Sequence, residues 1–225
     1  MGISVPEIPF RMLEEFVRIL HDKNEEVNLT AITDEREIWI KHILDSISPA
    51  SFIRFKPKNK WIDIGTGGGL PGIPLAILFP HTEFVLMDSV QKKAEAVGGF
   101  IRHLGLGNAT VICERAETLG QDPGHREQYD GVLARAVASL HVLVELGVPL
   151  IHPYGSVVCY KGPDYLMELT AARTAIQKLK AELPKIYHYS LPEDMGNRLI
   201  LEISKKDTTP AIYPRRPGIP NKKPL

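Results

Sequence analysis

The sequence predicts an α/β fold: a seven-stranded, mostly parallel sheet with its last strand antiparallel, preceded by a helical cap. Three observations lead there. From Lys60 onward, short apolar runs alternate with amphipathic helical stretches, the texture of successive βαβ units. The last two apolar runs, IYHYSLP and RLILEIS, are separated only by Glu193 to Asn197, too short for a crossover helix, so they pair antiparallel. Residues 1–58 instead carry apolar side chains at helical spacing.

In that N-terminal stretch Phe10, Leu13, Phe16, Val17 and Leu20 share one helical face, and Ile38, Ile40, Ile43, Leu44 and Ile47 share another. Asn28 to Asp34 between them supply cap and turn residues. Strands are expected near Trp61–Ile64, Glu83–Met87, Thr110–Cys113, Gly131–Ala134, Ser156–Tyr160, Ile186–Leu191 and Leu199–Ser204. Helices are expected near Ile73–Leu78, Lys92–Leu104, Ser139–Leu146 and Leu166–Leu183. The chain therefore divides into a helical cap (1–58), a main domain (59–208) and a basic, proline-rich tail (209–225) that reads as extended. A parallel sheet closed by an antiparallel hairpin is the outline of the Rossmann-like class I methyltransferases, an analogy of fold alone.

Composition sets bounds on function. The 27 basic and 27 acidic residues among 225 cancel, so any surface for a polyanion is local. The opening MGISVPEIPF has neither the basic nor the apolar region of an export signal, and Pro6 occupies the place where myristoylation of Gly2 needs Ser or Thr. No stretch is long and apolar enough for a membrane span. Cys113 and Cys159 both sit in apolar runs and read as small buried hydrophobes, which fits a reducing cytoplasm. His21, His81, His103, His125, His141, His152 and His188 form no ligand-spaced cluster, so no metal is expected.

The chemistry begins at Asp63-Ile64-Gly65-Thr66-Gly67-Gly68-Gly69, a glycine-rich turn between a strand and a helix. Glycine has no Cβ and tolerates positive φ, so such a turn lets backbone approach a ligand. A dinucleotide fingerprint would want glycine at position 70, which is Leu70; the spacing, with Asp63 ahead of it, favours S-adenosylmethionine over NAD. Asp88-Ser89 follows the second strand, where a carboxylate can accept both ribose hydroxyls, and Ala116-Glu117 follows the third, where a backbone amide and a carboxylate can read adenine. The alternatives are a plain tight turn, a helix cap at Asp88 and a solvated charge at Glu117.

With these residues in place the chain resembles the glucose-inhibited division protein B family, the bacterial small-subunit ribosomal RNA guanine-N7 methyltransferases. The resemblance runs through Asn28-Leu29-Thr30-Ala31-Ile32, His42-Ile43-Leu44-Asp45-Ser46, the glycine turn extended by Leu70-Pro71-Gly72, Arg135-Ala136-Val137-Ala138-Ser139-Leu140, and Tyr213-Pro214-Arg215-Arg216-Pro217-Gly218. It implies methyl transfer from S-adenosylmethionine to N7 of one guanine in the decoding region of 16S ribosomal RNA, free or within the small ribosomal subunit. It also implies cofactor contacts at Gly65, Leu70, Ala116, Glu117 and Arg135. Two local departures are Lys92-Lys93-Ala94-Glu95-Ala96, where the family has a bulky apolar run, and the insertion-like Gln121 to Gln128, expected to be a longer surface loop.

Guanine N7 carries an in-plane lone pair, so its attack on a methyl group needs no general base, and positioning and electrostatics carry the rate. Adenine amine methylation would show an Asn/Asp-Pro-Pro-aromatic turn where this chain has Ala134-Arg135-Ala136-Val137, and cytosine C5 chemistry would need a nucleophilic thiol. Arg135 can reach the methionine carboxylate or the guanine edge; it cannot hydrogen-bond N7 during attack, which favours a cofactor or positioning role. His42, Asp45 and Asn28 either line the substrate side or serve as structural pairing and capping groups. Phosphate contacts are expected from Lys161, Arg198, Arg215, Arg216, Lys222 and Lys223. The competing readings are a small-molecule or protein methyltransferase and a non-catalytic module that binds adenosylmethionine during ribosome assembly; a monomer is expected in each.

Overall fold

A computed structural model describes residues 4–225; Gly2 lies outside them. Helix α1 (Glu7–Val27) buries Leu13, Phe16, Val17 and Leu20, whose spacing puts them on one face. Phe10 shares that spacing but stays 44% exposed and stacks on Trp39 at 5.6 Å. Asn28 ends the helix in the left-handed region (φ 52°), its N–H donating to the Asn24 carbonyl. Asp34 then caps α2 (Glu35–Glu37) by accepting from the Glu37 N–H at 2.9 Å. The chain continues without a break through a π-helical segment (Ile38–Leu44) into α3 (Asp45–Ile47).

Strands β1 (Lys60–Ile64), β2 (Glu83–Asp88), β3 (Ala109–Cys113), β4 (Tyr129–Arg135), β5 (Ile151–Lys161), β6 (Lys185–Ser190) and β7 (Asn197–Ser204) form one sheet in the order β3-β2-β1-β4-β5-β7-β6. The first five run parallel, and β7 is antiparallel to both β5 and β6, as the short connection requires. Successive residues of β1, β2 and β4 alternate between two cores. Trp61, Phe84, Leu86 and Leu133 face one with α1, α4 (Gly72–Leu78) and α5 (Gln91–His103); Ile62, Ile64, Val85 and Val132 face the other with α7 (Leu140–Gly147) and α8 (Tyr165–Lys178). The N-terminal helices thus cover one face of the sheet and share its core, with Phe16 meeting Phe100 edge-on at 5.8 Å.

Several features depart from the reading of the sequence. Strand β5 starts at Ile151, ahead of the expected Ser156, and its pairing with β4 shifts register between Tyr129 and Gly131. Helix α8 stops at Lys178, short of Leu183, because Lys180 turns left-handed (φ 61°) and Ala181 bridges to Lys205. The four-residue α6 (Ala116–Leu119) is too short to announce itself by periodicity. Cys159 is buried as expected, and burial pushes its thiol up to about 12, but Cys113 is exposed: it ends β3, the edge strand, where no neighbour covers it. Ala94 and Ala96 are buried on α5, and the small residues Ala96 and Gly99 leave a groove between α1 and α5. Among the described residues no helix is long and apolar enough to cross a membrane.

The largest departure is at the two ends of one interaction. Gln121 to Gln128 is not merely a surface loop, and residues 209–225 are not extended. The Arg126 guanidinium donates to the carbonyls of Gly120 (2.7 Å), Thr209 (2.8 Å) and Tyr213 (2.6 Å), and Gln121 donates to the Pro214 carbonyl (2.7 Å). Arg215 forks onto the fully buried Glu145 of α7 (2.8 and 2.6 Å), and the segment ends in α9 (Ile219–Lys222). Removing one partner strands a buried charge. Arg215→Met is therefore expected to cost about 3 kcal/mol in urea unfolding; an unchanged midpoint would show that the pair carries no stability.

Candidate functional site

In a parallel sheet ligands collect beyond the C-terminal strand ends, where strand order reverses. Here that point lies between β1 and β4. Asp63, one residue from the end of β1, accepts through Oδ2 from the Thr66 hydroxyl (2.7 Å) and the Gly72 N–H (2.9 Å), tying both ends of the glycine loop to one oxygen. The loop needs its glycines: Gly65, Gly67 and Gly69 all have positive φ (67°, 58°, 87°), and a Cβ on Gly65 would meet Val137 at 2.8 Å. Burial pushes the Asp63 carboxyl up to about 7, against the Thr66 and Gly72 hydrogen bonds and the Arg135 charge. Its other oxygen, Oδ1, is buried with no partner in the structure. Leu70 points into the core beside α1, so only its backbone is left for a ligand.

Beyond β2, Asp88 accepts from the Gly67 N–H through Oδ2 and from the Val90 N–H through Oδ1, both at 2.9 Å. The carboxylate is thus fixed by the loop on one side and by the turn before α5 on the other, and each oxygen keeps a lone pair. Glu117 is buried in α6 and accepts from the Gly218 N–H at 2.8 Å, so it is not a solvated charge. Gly65, Asp88, Ser89, Ala116 and Glu117 line one cleft together, and Asn221 of the tail joins them.

A second, larger cleft of about 440 Å³ opens on the other side of the strand ends, with His42, Asp45, Arg135, Tyr160, Lys161 and Arg198 among its walls. Arg135 bridges β4 to the π-helical segment, meeting Asp45 Oδ2 at 3.2 Å and the Lys41 and His42 carbonyls at 3.4 Å. Asp45 accepts a second hydrogen bond from the Tyr189 hydroxyl (2.7 Å), and the Tyr160 hydroxyl donates to the Ser46 carbonyl (2.7 Å). Burial and Asp45 push the Tyr189 hydroxyl well above its ordinary range. Ala136, next after Arg135, sits at φ 56°, a left-handed conformation that a non-glycine residue holds only when its surroundings dictate it. No sequence pattern marked Tyr160 or Tyr189, and the motif that includes Ala136 gave no sign of its left-handed turn.

The sequence-derived candidates separate accordingly. His42, Asp45 and Arg135 come together; Asn28 is the exposed C-cap of α1 and lines neither cleft. Lys161 reaches into the second cleft while bound to Glu168 (2.7 Å) and the Ala138 carbonyl (2.9 Å). Arg198 stands at the rim, Arg216, Lys222 and Lys223 are exposed, and Arg215 turns inward to Glu145. Among the described residues no group of His, Cys, Asp and Glu is arranged to hold a metal ion.

His42 is held neutral. Its Nδ1 donates to the Lys41 carbonyl (3.2 Å), leaving Nε2 to accept from the Thr30 hydroxyl (2.6 Å). Burial, then the nearby Arg135 charge, lowers the imidazole to about 4. The unfolded chain takes up this proton near pH 6.5 and the folded chain only near pH 4, so stability is lost as pH falls across that window. His42→Gln is expected to remove up to roughly 3 kcal/mol of that acid sensitivity, read as a shallower decline of the urea midpoint between pH 7 and 4.5; an identical decline in the variant would contradict the assignment.

A profile of the family described as rRNA small subunit methyltransferase G matches residues 10–195. Proteins named ribosomal RNA small subunit methyltransferase G are similar over the full chain. That of Carboxydothermus hydrogenoformans is 42% identical, covering 100% of this chain and 95% of its own, and that of Geobacillus kaustophilus is 40% identical, covering 100% and 94%. Among solved structures, a SAM-dependent O-methyltransferase of Thermotoga maritima superposes with a TM-score of 0.57 at 13% identity, over 85% of this chain and 72% of that one. At that identity the likeness speaks for the class I methyltransferase fold alone. Profile and full-length relatives together establish that the chain belongs to the rRNA small subunit methyltransferase G family.

Proposed function

We propose that the protein transfers a methyl group from S-adenosylmethionine to N7 of a guanine in 16S ribosomal RNA, acting in the cytoplasm as a monomer. The observation that carries this reading is the chemistry of the second cleft. Its titratable groups are cationic, neutral or already paired: His42 offers no free lone pair, and Asp45 is bound by both Arg135 and Tyr189. A cleft whose one carboxylate is ion-paired with Arg135 suits a nucleophile that needs no base, and guanine N7 is one. Arg198 and Lys161 at its walls supply positive charge for a phosphate-bearing substrate.

The first cleft fits the cofactor. Gly65 lines the cleft with bare backbone, the buried and unpartnered Asp63 Oδ1 is left as an acceptor for an ammonium group, and Asp88 keeps lone pairs for ribose hydroxyls. When bound, S-adenosylmethionine supplies an electrophilic methyl group on a sulfonium. Arg135, on the wall of the second cleft, ties the end of β4 to the π-helical segment, and there its charge would stand beside the methyl-transfer path without occupying N7. Arg216, Lys222 and Lys223 on the tail, with Arg198 at the rim, contact phosphates and set the RNA's register.

Incubation with methyl-labelled adenosylmethionine and either small subunits or naked 16S RNA is expected to place label on guanine N7; no transfer to either substrate would overturn the reading. Asp88→Ala is expected to weaken cofactor binding at least tenfold by calorimetry, the loss of charged hydrogen bonds to ribose. Unaltered affinity would remove Asp88 from that role.

A further inference from the structure

Residues 209–225 carry basic side chains that sequence alone assigns to RNA, yet the backbone of this segment is fastened to the nucleotide side of the site. Arg126 holds it at Thr209 and Tyr213, Glu145 holds it at Arg215, and the carboxylate of Glu117 holds it at the Gly218 N–H. At Gly218 the chain turns through a left-handed conformation (φ 81°) that directs α9 back over the cleft. The consequence is that Asn221 becomes a wall of the same cleft as Gly65, Asp88, Ala116 and Glu117.

The position of Asn221 suits a specific partner. Asp88 fixes the ribose at the end of β2, so the attached base lies towards the end of β3 and α6, the part of the cleft that Glu117 and Asn221 border. Adenine presents an amino donor at N6 beside a ring-nitrogen acceptor. A side-chain amide offers the complementary acceptor and donor and can meet that edge with two hydrogen bonds. Glu117 is meanwhile engaged by Gly218, which leaves one of its oxygens committed to holding the wall in place.

We propose that Asn221 is a cofactor-binding residue that reads the adenine edge, and that the C-terminal segment is a structural wall of the cofactor site as well as a carrier of basic side chains. The proposal rests on the cofactor reading above. It is tested in the full-length protein by calorimetry with two ligands, S-adenosylhomocysteine and its 6-deamino analogue with purine in place of adenine, which differ only in the presence of the amine at position 6 of the base. Asn221→Ala is expected to lose roughly tenfold in affinity for the adenosyl ligand and much less for the deamino ligand, which keeps only the ring-nitrogen half of the matched pair. Ile212→Ala, an exposed residue of the same segment, is the control and is expected to bind both as the unaltered protein does. Retained affinity of Asn221→Ala for the adenosyl ligand, or an equal loss for both ligands, overturns the proposal. Failure of the unaltered protein to bind either ligand would instead remove the cofactor reading on which it rests.

Discussion

One buried carboxylate oxygen holds the site together. Asp63 Oδ2 accepts from Thr66 and from Gly72, and so closes the glycine loop at both ends. Without that double anchor the left-handed turns at Gly65, Gly67 and Gly69 would have no fixed frame. With it, the Gly67 N–H points at Asp88, and the carboxylate expected to meet ribose is oriented by the glycine loop. The cost is a carboxyl group kept out of water, reflected in its rise to about 7. Gly72 also has no room for a side chain, since a Cβ there would lie 2.9 Å from the same Asp63 oxygen.

A second buried network performs the matching task for the opposite cleft. Arg135, Asp45 and Tyr189 join β4, α3 and β6, so the helices of the N-terminal stretch are locked to the sheet at the wall of the second cleft. The interruption of regular α-helix between Glu37 and Asp45 belongs to this arrangement: π-helical turns recur at functional sites because they widen the helix and re-aim side chains. His42, within that turn, contributes shape and a neutral hydrogen-bonding ring. Catalysis in such a site comes from orientation and preorganised charge, which is what an N7 nucleophile requires.

Much of this was legible in the sequence, for identifiable reasons. Period-two alternation and a short hairpin connection are local signals, so all seven strands and the reversed direction of β7 could be read directly. Asp63, Asp88 and Glu117 announced themselves by their places at strand ends. What could not be read depends on contacts between residues far apart in the chain. The hydroxyls of Tyr160 and Tyr189 meet Ser46 and Asp45 more than a hundred residues away. Arg126 looked like a loop charge because its acceptors are carbonyls of residues 209–213, and Arg215 looked like a phosphate ligand because Glu145 lies on a helix seventy positions earlier. A net charge of zero and a basic tail cannot distinguish cations that face solvent from cations that fasten the fold.

These two networks flank two clefts at the strand ends, one lined by Gly65 and Asp88 and the other by His42 and Arg135, and the account stands on the proposed division of cofactor and substrate between them. The direct measurement is a crystal structure of the protein with S-adenosylhomocysteine. Ribose on Asp88, adenine beside Glu117 and Asn221, and sulfur facing Arg135 would agree with it. A ligand seated among His42, Asp45 and Lys161, or one with its sulfur turned away from the second cleft, would contradict it.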